Sequence, residues 1–129
     1  MAIAYWCILA AALLPYAWVT IAKRGPRYDN RDPRRWMEKQ DDPRRQRANA
    51  AHLNAFEAFA PFAASVLMAQ AAGVDAGLVA TLSLAFIALR VGHGVFYVTS
   101  VHVLRSLCWL GGFACVLWLM GAAALRVAG

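Results

Sequence analysis

The fold is decided by residues 47–73, which read RANAAHLNAFEAFAPFAASVLMAQAAG. From Ala55 onward this stretch is apolar enough for a lipid bilayer, yet Asn54 and Glu57 follow Arg47 within about three helical turns. An amide or a carboxylate inside a membrane helix is unfavourable unless it is paired or wetted. The two side chains therefore need either partners on other helices or a ligand.

Composition indicates a membrane protein with a single domain, residues 1–129. Of the 129 residues, 61% are hydrophobic and 16% are charged, and the mean hydropathy is +0.49. These values lie outside the usual range for a soluble domain. Ten of the 13 basic residues lie within residues 23–47, so the net charge of +6 describes one loop. Five acidic residues are interleaved there, which argues against a nucleic-acid surface.

Four segments have the length needed to cross the hydrocarbon core, about 20 residues. They are residues 3–22, 48–72, 76–98 and 103–127. The sequence thus predicts an all-α integral membrane four-helix bundle, with short turns near Asp75 and Thr99. The first segment lacks a basic leader and is too long for a signal peptide, so we expect it to be retained.

The arginines predict the orientation, because Lys and Arg in short loops remain on the cytoplasmic side. Loop 23–47 and the Thr99 turn are then inside, and the N-terminus and the Asp75 turn are outside. Polar residues of the helices then lie toward the inner side, on common faces. They are Arg47, Asn54, Glu57 and Pro61 on the second segment, Arg90, His93 and Tyr97 on the third, and Arg105 and Ser106 on the fourth. The pattern predicts a polar cleft that opens to the cytoplasm.

Three motifs in this order resemble the MAPEG family, the membrane-associated proteins of eicosanoid and glutathione metabolism. They are RANAAHLNAFEAFAPF at 47–62, RVGHGVFY at 90–97 and RS at 105–106. The upstream YDNRDPR at 28–34 is similar to the bacterial branch of that family. The resemblance covers nearly the whole chain.

The resemblance implies a homotrimer in the bacterial cytoplasmic (inner) membrane, with glutathione as a co-substrate bound between adjacent subunits. It implies a glutathione-dependent transferase or peroxidase that acts on lipophilic electrophiles. By matching position, it assigns the glutathione site and the activation of its thiol to Asn54, Glu57, Arg90, Tyr97 and Arg105, and Arg47 and His93 are added as binding candidates. The binding candidates are Arg47, Asn54, Glu57, Arg90 and His93, and the catalytic candidates are Arg105 and Tyr97.

The chemistry of glutathione agrees with these residue types. Its two carboxylates suit arginine forks, its ammonium group suits Glu57, and its thiolate suits a hydrogen bond from Arg105 or Tyr97. One departure concerns the position four before Asn54, where glutathione-using members commonly carry a basic residue and this chain has Ala50.

Each candidate also has a structural interpretation. Asn54 and Glu57 could bond across helices, and Arg90 could simply neutralise Glu57. Arg105 could extend to the lipid headgroups, Tyr97 could be an interfacial aromatic, and His93 could pack between helices.

Two other functions stay open. A single buried Glu57 among four short helices also suits a small proton-coupled transporter, and Ala50 would favour a non-catalytic binding protein of the same fold. We predict no metal site, because His52 and His102 lack spaced ligands. The cysteines Cys7, Cys108 and Cys115 are expected to pack in the interior.

Overall fold

The computed structural model describes residues 1–25 and 27–129, and it contains five helices and no strand within those ranges. The helices are α1 (Ala2–Ala22), α2 (Pro33–Glu38), α3 (Pro43–Ala71), α4 (Ala76–Val98) and α5 (His102–Ala128). Pro26, within the predicted loop 23–47, lies outside the described residues. The protein is therefore all-helical.

Aspartate caps determine where three of the helices begin. The side chains of Asp32, Asp42 and Asp75 accept hydrogen bonds from the backbone N–H groups of Arg35, Arg44 and Leu78. Proline occupies the first position of α2 and α3, where its missing N–H group is not needed. The turn between α3 and α4 contains Gly73 at φ +70, a backbone conformation that favours glycine.

The basic segment has more helix than the sequence predicts. Residues 23–47, predicted as a loop, contain all of α2 and the first residues of α3. In both helices an Asp cap is followed by a Pro that is the first helical residue. The indole of Trp36 in α2 donates a hydrogen bond of 2.9 Å to the carbonyl of Arg27. The Arg31 side chain donates to the Asp29 carboxylate, which lowers the pKa of Asp29. Part of the positive charge of residues 23–47 is thus paired with a nearby carboxylate.

Three helices, α1, α4 and α5, are long and apolar enough to cross a membrane, and they indicate a multi-pass membrane protein. The sequence predicted four such segments, but α3 does not reach the same apolarity over the described residues. The reason is local: α3 begins with several arginines and carries Asn54 and Glu57 near its middle. Its polar groups are those of the predicted cleft.

The long helices pack side by side around two apolar clusters. Helix α1 contacts α3 and α4, α3 also contacts α4 and α5, and α4 contacts α5. One cluster, around Phe62, Val66 and Leu119, occupies the half of the molecule that contains the Asp75 turn. The other, around Trp18 and Val98, lies near the end that carries α2, which we call the loop end. Along α4, the buried Arg90 and His93 lie between the residues of the two clusters.

A close approach between α1 and α4 holds the second cluster together. Gly94 of α4 is buried, and a Cβ atom at this position would overlap the indole of Trp18. Trp18 is itself only 8% exposed. The absence of a side chain at Gly94 therefore lets a large ring pack closely against α4, near the predicted site.

We predict that Gly94→Ala destabilises the protein by about 1–3 kcal/mol, because the new methyl group displaces the Trp18 ring from a packed position. Thermal unfolding in detergent measures the change. Gly121→Ala on α5 is the matched control, since nothing lies within 4 Å of its added Cβ atom. An equal melting temperature for the two variants would contradict the packing role of Gly94.

Candidate functional site

A hydrogen-bonded chain of three polar side chains joins α4 to α3. Arg90 is 4% exposed, and its Nη2 atom donates a hydrogen bond of 2.6 Å to Oδ1 of Asn54. The Nδ2 atom of Asn54 in turn donates to Oε2 of Glu57 at 3.3 Å. Asn54 and Glu57 are three residues apart on α3, so helix geometry places them on neighbouring positions of one face. The structure therefore brings these three predicted residues together.

Arg90 and Glu57 do not form a direct ion pair among the described residues. Asn54 stands between them, with its carbonyl toward the cation and its amide toward the carboxylate. The Nε atom of Arg90 is buried without a hydrogen-bond partner in the described part of the chain. Glu57 is exposed at the surface of the subunit. The arrangement leaves one buried donor unpaired among the described residues and one carboxylate accessible.

These residues line a cavity of about 190 Å³ between α3, α4 and α5, which we call the Arg90 cavity. Its polar wall is formed by Asn54, Glu57 and Arg90. The rest of the wall is apolar or small: Ala58, Pro61, Phe86, Trp109, Gly112, Phe113 and Val116. The cavity thus extends from the polar residues toward the cluster around Phe62.

Tyr97 and Arg105 form a second group, nearer the loop end. The guanidinium of Arg105 lies over the ring of Tyr97, with its carbon 4.6 Å from the ring centroid. Both side chains are half-buried. A cation held over an aromatic face is stabilised by about 0.5–2 kcal/mol, depending on its desolvation. The pair therefore holds one positive charge at the start of α5, where the motif match assigned thiol activation.

His93 lies between the two groups along α4. It is 3% exposed, and its ring meets the ring of Tyr97 edge to face at 5.5 Å. Its Nδ1 atom is buried and has no hydrogen-bond partner among the described residues. His93 packs between helices, as one interpretation of the sequence expected, and it adds a second unpaired polar atom to this level of the molecule.

Arg47 is not part of the chain formed by Arg90, Asn54 and Glu57, and its side chain acts at a helix end. Its Nε atom donates a hydrogen bond of 3.2 Å to the carbonyl of Val98, the last residue of α4. A cation at a helix C-terminus bonds a free carbonyl and interacts favourably with the negative end of the helix dipole. Arg47 does not line the Arg90 cavity. Its contact links the beginning of α3 to the end of α4.

The aromatic wall of the cavity was not predicted from the sequence. Phe86 precedes Arg90 by one helical turn, and Trp109 and Phe113 are four apart on α5. These spacings are a usable signal, since residues four apart share a helix face. Aromatic residues are common on lipid-facing helices, however, so the spacing alone does not separate a cavity wall from a lipid contact.

A second and larger cavity, of about 780 Å³, lies beside α1, α2 and α3. Its lining includes Lys23, Arg34, His52 and Leu53. The Nδ1 atom of His52 is 2.8 Å from the carbonyl oxygen of Pro15, which accepts a hydrogen bond from the ring and ties α3 to α1. No cluster of side chains that could hold a metal ion occurs within the described residues.

The comparison with protein families supports the resemblance of the motifs. A family model described as the MAPEG family matches residues 3–125, nearly the whole chain. The chain belongs to the MAPEG family. No curated protein and no solved structure matches it. MAPEG proteins are membrane proteins of glutathione-related transfer and peroxide chemistry, and members generally use glutathione.

We predict a strong coupling between Arg90 and Asn54 in this MAPEG chain. Asn54→Ala leaves a buried guanidinium without its partner, whereas Asn54→Ala combined with Arg90→Met removes both groups. The coupling energy from thermal or chemical unfolding should be about 1.5–3 kcal/mol, the range for a hydrogen bond to a charged group.

The control cycle pairs Arg90→Met with Asn49→Ala, another asparagine of α3 that lies outside the Arg90 cavity. The effects of these two changes on the free energy of unfolding should be additive. Additive effects for Arg90 and Asn54 as well would contradict the proposed dependence of the buried cation on Asn54.

Proposed function

We propose that this protein is a glutathione-dependent transferase or peroxidase that acts on lipophilic electrophiles. In this proposal the four long helices α1, α3, α4 and α5 form the bundle of one domain, and three copies form a homotrimer in the bacterial cytoplasmic membrane. The loop end faces the cytoplasm, because it carries ten of the basic residues.

The observation that carries the proposal is the alignment of complementary groups from Glu57 to Arg105. The described part of the site has a carboxylate at the surface, a buried guanidinium with a free Nε atom, and a second guanidinium over an aromatic ring. Glutathione carries an ammonium group, two carboxylates and a thiol. Glu57 pairs with the ammonium group, and Arg90 hydrogen-bonds a carboxylate or a peptide carbonyl.

Arg105 and Tyr97 supply the stabilisation of the thiolate. The pKa of a free thiol is about 8.5, and lowering it to about 6.5 requires about 3 kcal/mol of preferential stabilisation of the anion. A half-buried guanidinium can provide a charge-assisted hydrogen bond of this order. The Tyr97 ring beneath it fixes the position of that cation. The thiolate then attacks an electrophile that arrives through the membrane.

The surface of α3 supports the proposed assembly. This helix is less apolar than the other three long helices, yet it exposes large apolar side chains, including Leu53, Phe56, Leu67 and Met68. A polar helix that faced lipid directly would be unfavourable. Packing of α3 against further copies of the chain covers both its polar and its exposed apolar side chains. The partner copies then also enclose the accessible Glu57.

A proton-coupled transporter is less well supported by the same contacts. A proton relay needs a carboxylate with little else charged around it, whereas Glu57 is linked through Asn54 to a guanidinium. The half-buried Arg105 adds a second cation nearer the loop end. The described charges match a ligand of mixed charge better than a single proton.

The test measures glutathione binding by calorimetry and thiolate formation by ultraviolet absorbance, followed by turnover of an aryl halide. We expect the wild type to bind glutathione and to ionise its thiol at neutral pH. Arg105→Ala should lose the thiolate signal and about 100-fold in kcat, which corresponds to about 2.7 kcal/mol. Tyr97→Phe should retain most of the thiolate, because it keeps the ring beneath Arg105.

Arg126→Ala is the matched control, since Arg126 is an exposed arginine at the opposite end of α5. It should behave as the wild type in all three measurements. The proposal is wrong if the wild type binds no glutathione, or if Arg105→Ala and Arg126→Ala ionise and turn over alike. Proton-driven efflux that requires Glu57 would establish the transporter instead.

A further inference from the structure

The larger cavity, of about 780 Å³, lies at the loop end between α1, α2 and α3, and we call it the α2 cavity. It shares no lining residue with the Arg90 cavity. None of the seven residues assigned to the glutathione site lines it either. The α2 cavity is therefore a separate feature of the subunit, which the proposed function does not use.

The lining of the α2 cavity changes from apolar to polar along both long helices that border it. On α1, Val19 is followed one turn later by Lys23, the residue at which the helix ends. On α3, Asn49 is followed by Leu53 and Phe56, at spacings that keep all three on one face. Helix α1 runs toward the loop end and α3 runs away from it. Both helices thus place polar lining at the loop end and apolar lining deeper in the molecule.

The apolar part of the cavity is held by contacts between α1 and α3. The Phe56 ring meets the rings of Tyr16 and His52 edge to face, with centroids 5.7 and 5.0 Å apart. The bond between His52 and the Pro15 carbonyl fixes the two helices at this level. Phe56 and the neighbouring Leu53 nevertheless stay exposed in the subunit. A positioned apolar surface is therefore left open beside the polar end.

Three charged side chains line the polar end of the α2 cavity: Lys23, Arg34 and Glu38. Neither of the two ion pairs in the described part of the chain includes any of them. Lys23 is positioned by the ring of Tyr28, whose centroid lies 5.2 Å from its Nζ atom. The three side chains together carry one net positive charge, so a ligand with one negative charge balances them.

We infer that the α2 cavity binds one anionic glycerophospholipid, with its phosphate at Lys23 and Arg34 and its acyl chains against Leu53 and Phe56. Lysine and arginine are the usual partners of phosphate groups. A soluble anion would leave the apolar surface uncovered, and an apolar molecule would leave the cations without a partner. A phospholipid satisfies both ends, in the direction that a bilayer imposes on it.

The size and the surroundings of the cavity agree with this ligand. A volume of about 780 Å³ accommodates a phosphate headgroup, its glycerol and the first part of the chains, whose remainder lies in the bilayer. A zwitterionic headgroup would leave the net positive charge of the lining unbalanced. If copies of the chain pack on α3 as proposed, the lipid lies at the border between two subunits. The inference itself does not depend on glutathione.

The test titrates the detergent-purified full chain with phosphatidylglycerol and counts bound lipid by native mass spectrometry. The cavity variant combines Lys23→Gln with Arg34→Gln. The matched control combines Lys39→Gln with Arg35→Gln, which removes the same residue types from the same segment at exposed positions outside the cavity. We expect the wild type and the control to bind one lipid per subunit, and the cavity variant to bind it about tenfold more weakly.

A charge-preserving variant, Lys23→Arg with Arg34→Lys, separates lost charge from altered folding and should bind phosphatidylglycerol as the wild type does. Phosphatidylethanolamine, which has no net charge, should bind the wild type about tenfold more weakly. Glycerol phosphate, which lacks the chains, should not displace the bound lipid at equal concentration.

The inference is overturned if the two glutamine variants bind phosphatidylglycerol alike, if phosphatidylethanolamine binds as tightly, or if glycerol phosphate displaces the lipid. Displacement of the lipid by glutathione would also overturn it, because the α2 cavity would then belong to the glutathione site. A wild type that binds the lipid but no glutathione would contradict the proposed function alone.

Discussion

The interaction on which the site depends is the hydrogen bond between Arg90 and Asn54. A guanidinium that is 4% exposed among membrane-spanning helices needs a partner, because an isolated charge there is unfavourable by several kcal/mol. Asn54 provides the acceptor at 2.6 Å, and its amide group is then oriented toward Glu57. One hydrogen bond thus determines the position of the cation, the orientation of the amide and the environment of the carboxylate. It also explains why α3 is more polar than the three candidate membrane spans.

Arg90 also divides the cleft into two environments. Toward the loop end lie His93, whose buried Nδ1 atom has no partner among the described residues, and the Tyr97–Arg105 pair, which carries a second cation. In the other direction lie Phe86 and the apolar cavity, next to the cluster around Phe62. A reaction between a charged, water-soluble thiol and an apolar electrophile requires two such environments within reach of each other. The arrangement of charge along α4 provides them on one helix face, where each residue is positioned by ordinary helix geometry.

The sequence predicted the parts of the molecule that follow from local patterns. Long apolar runs predict α1, α4 and α5, and the i, i+3 spacing of Asn54 and Glu57 predicts that they share a face. Arg47 lies on the same predicted stripe, yet its side chain reaches the carbonyl of Val98. That contact depends on where α4 ends beside α3, which is a tertiary property. The aromatic wall was missed for the same reason, because Phe86 comes to face Trp109 and Phe113 only when α4 packs against α5.

The charge of Glu57 gives the strongest physical reason to expect a ligand at this site. Its one described side-chain hydrogen bond comes from a neutral amide, and Arg90 is directed to the other end of that amide. Glu57 is exposed at the surface of the subunit, so its desolvation in an assembled membrane protein would be unfavourable without a cation. An ammonium group of a ligand supplies that cation without disturbing the Arg90–Asn54 bond. A purely structural role would instead be served by a direct Arg90–Glu57 pair, and the described contacts place Asn54 between the two side chains.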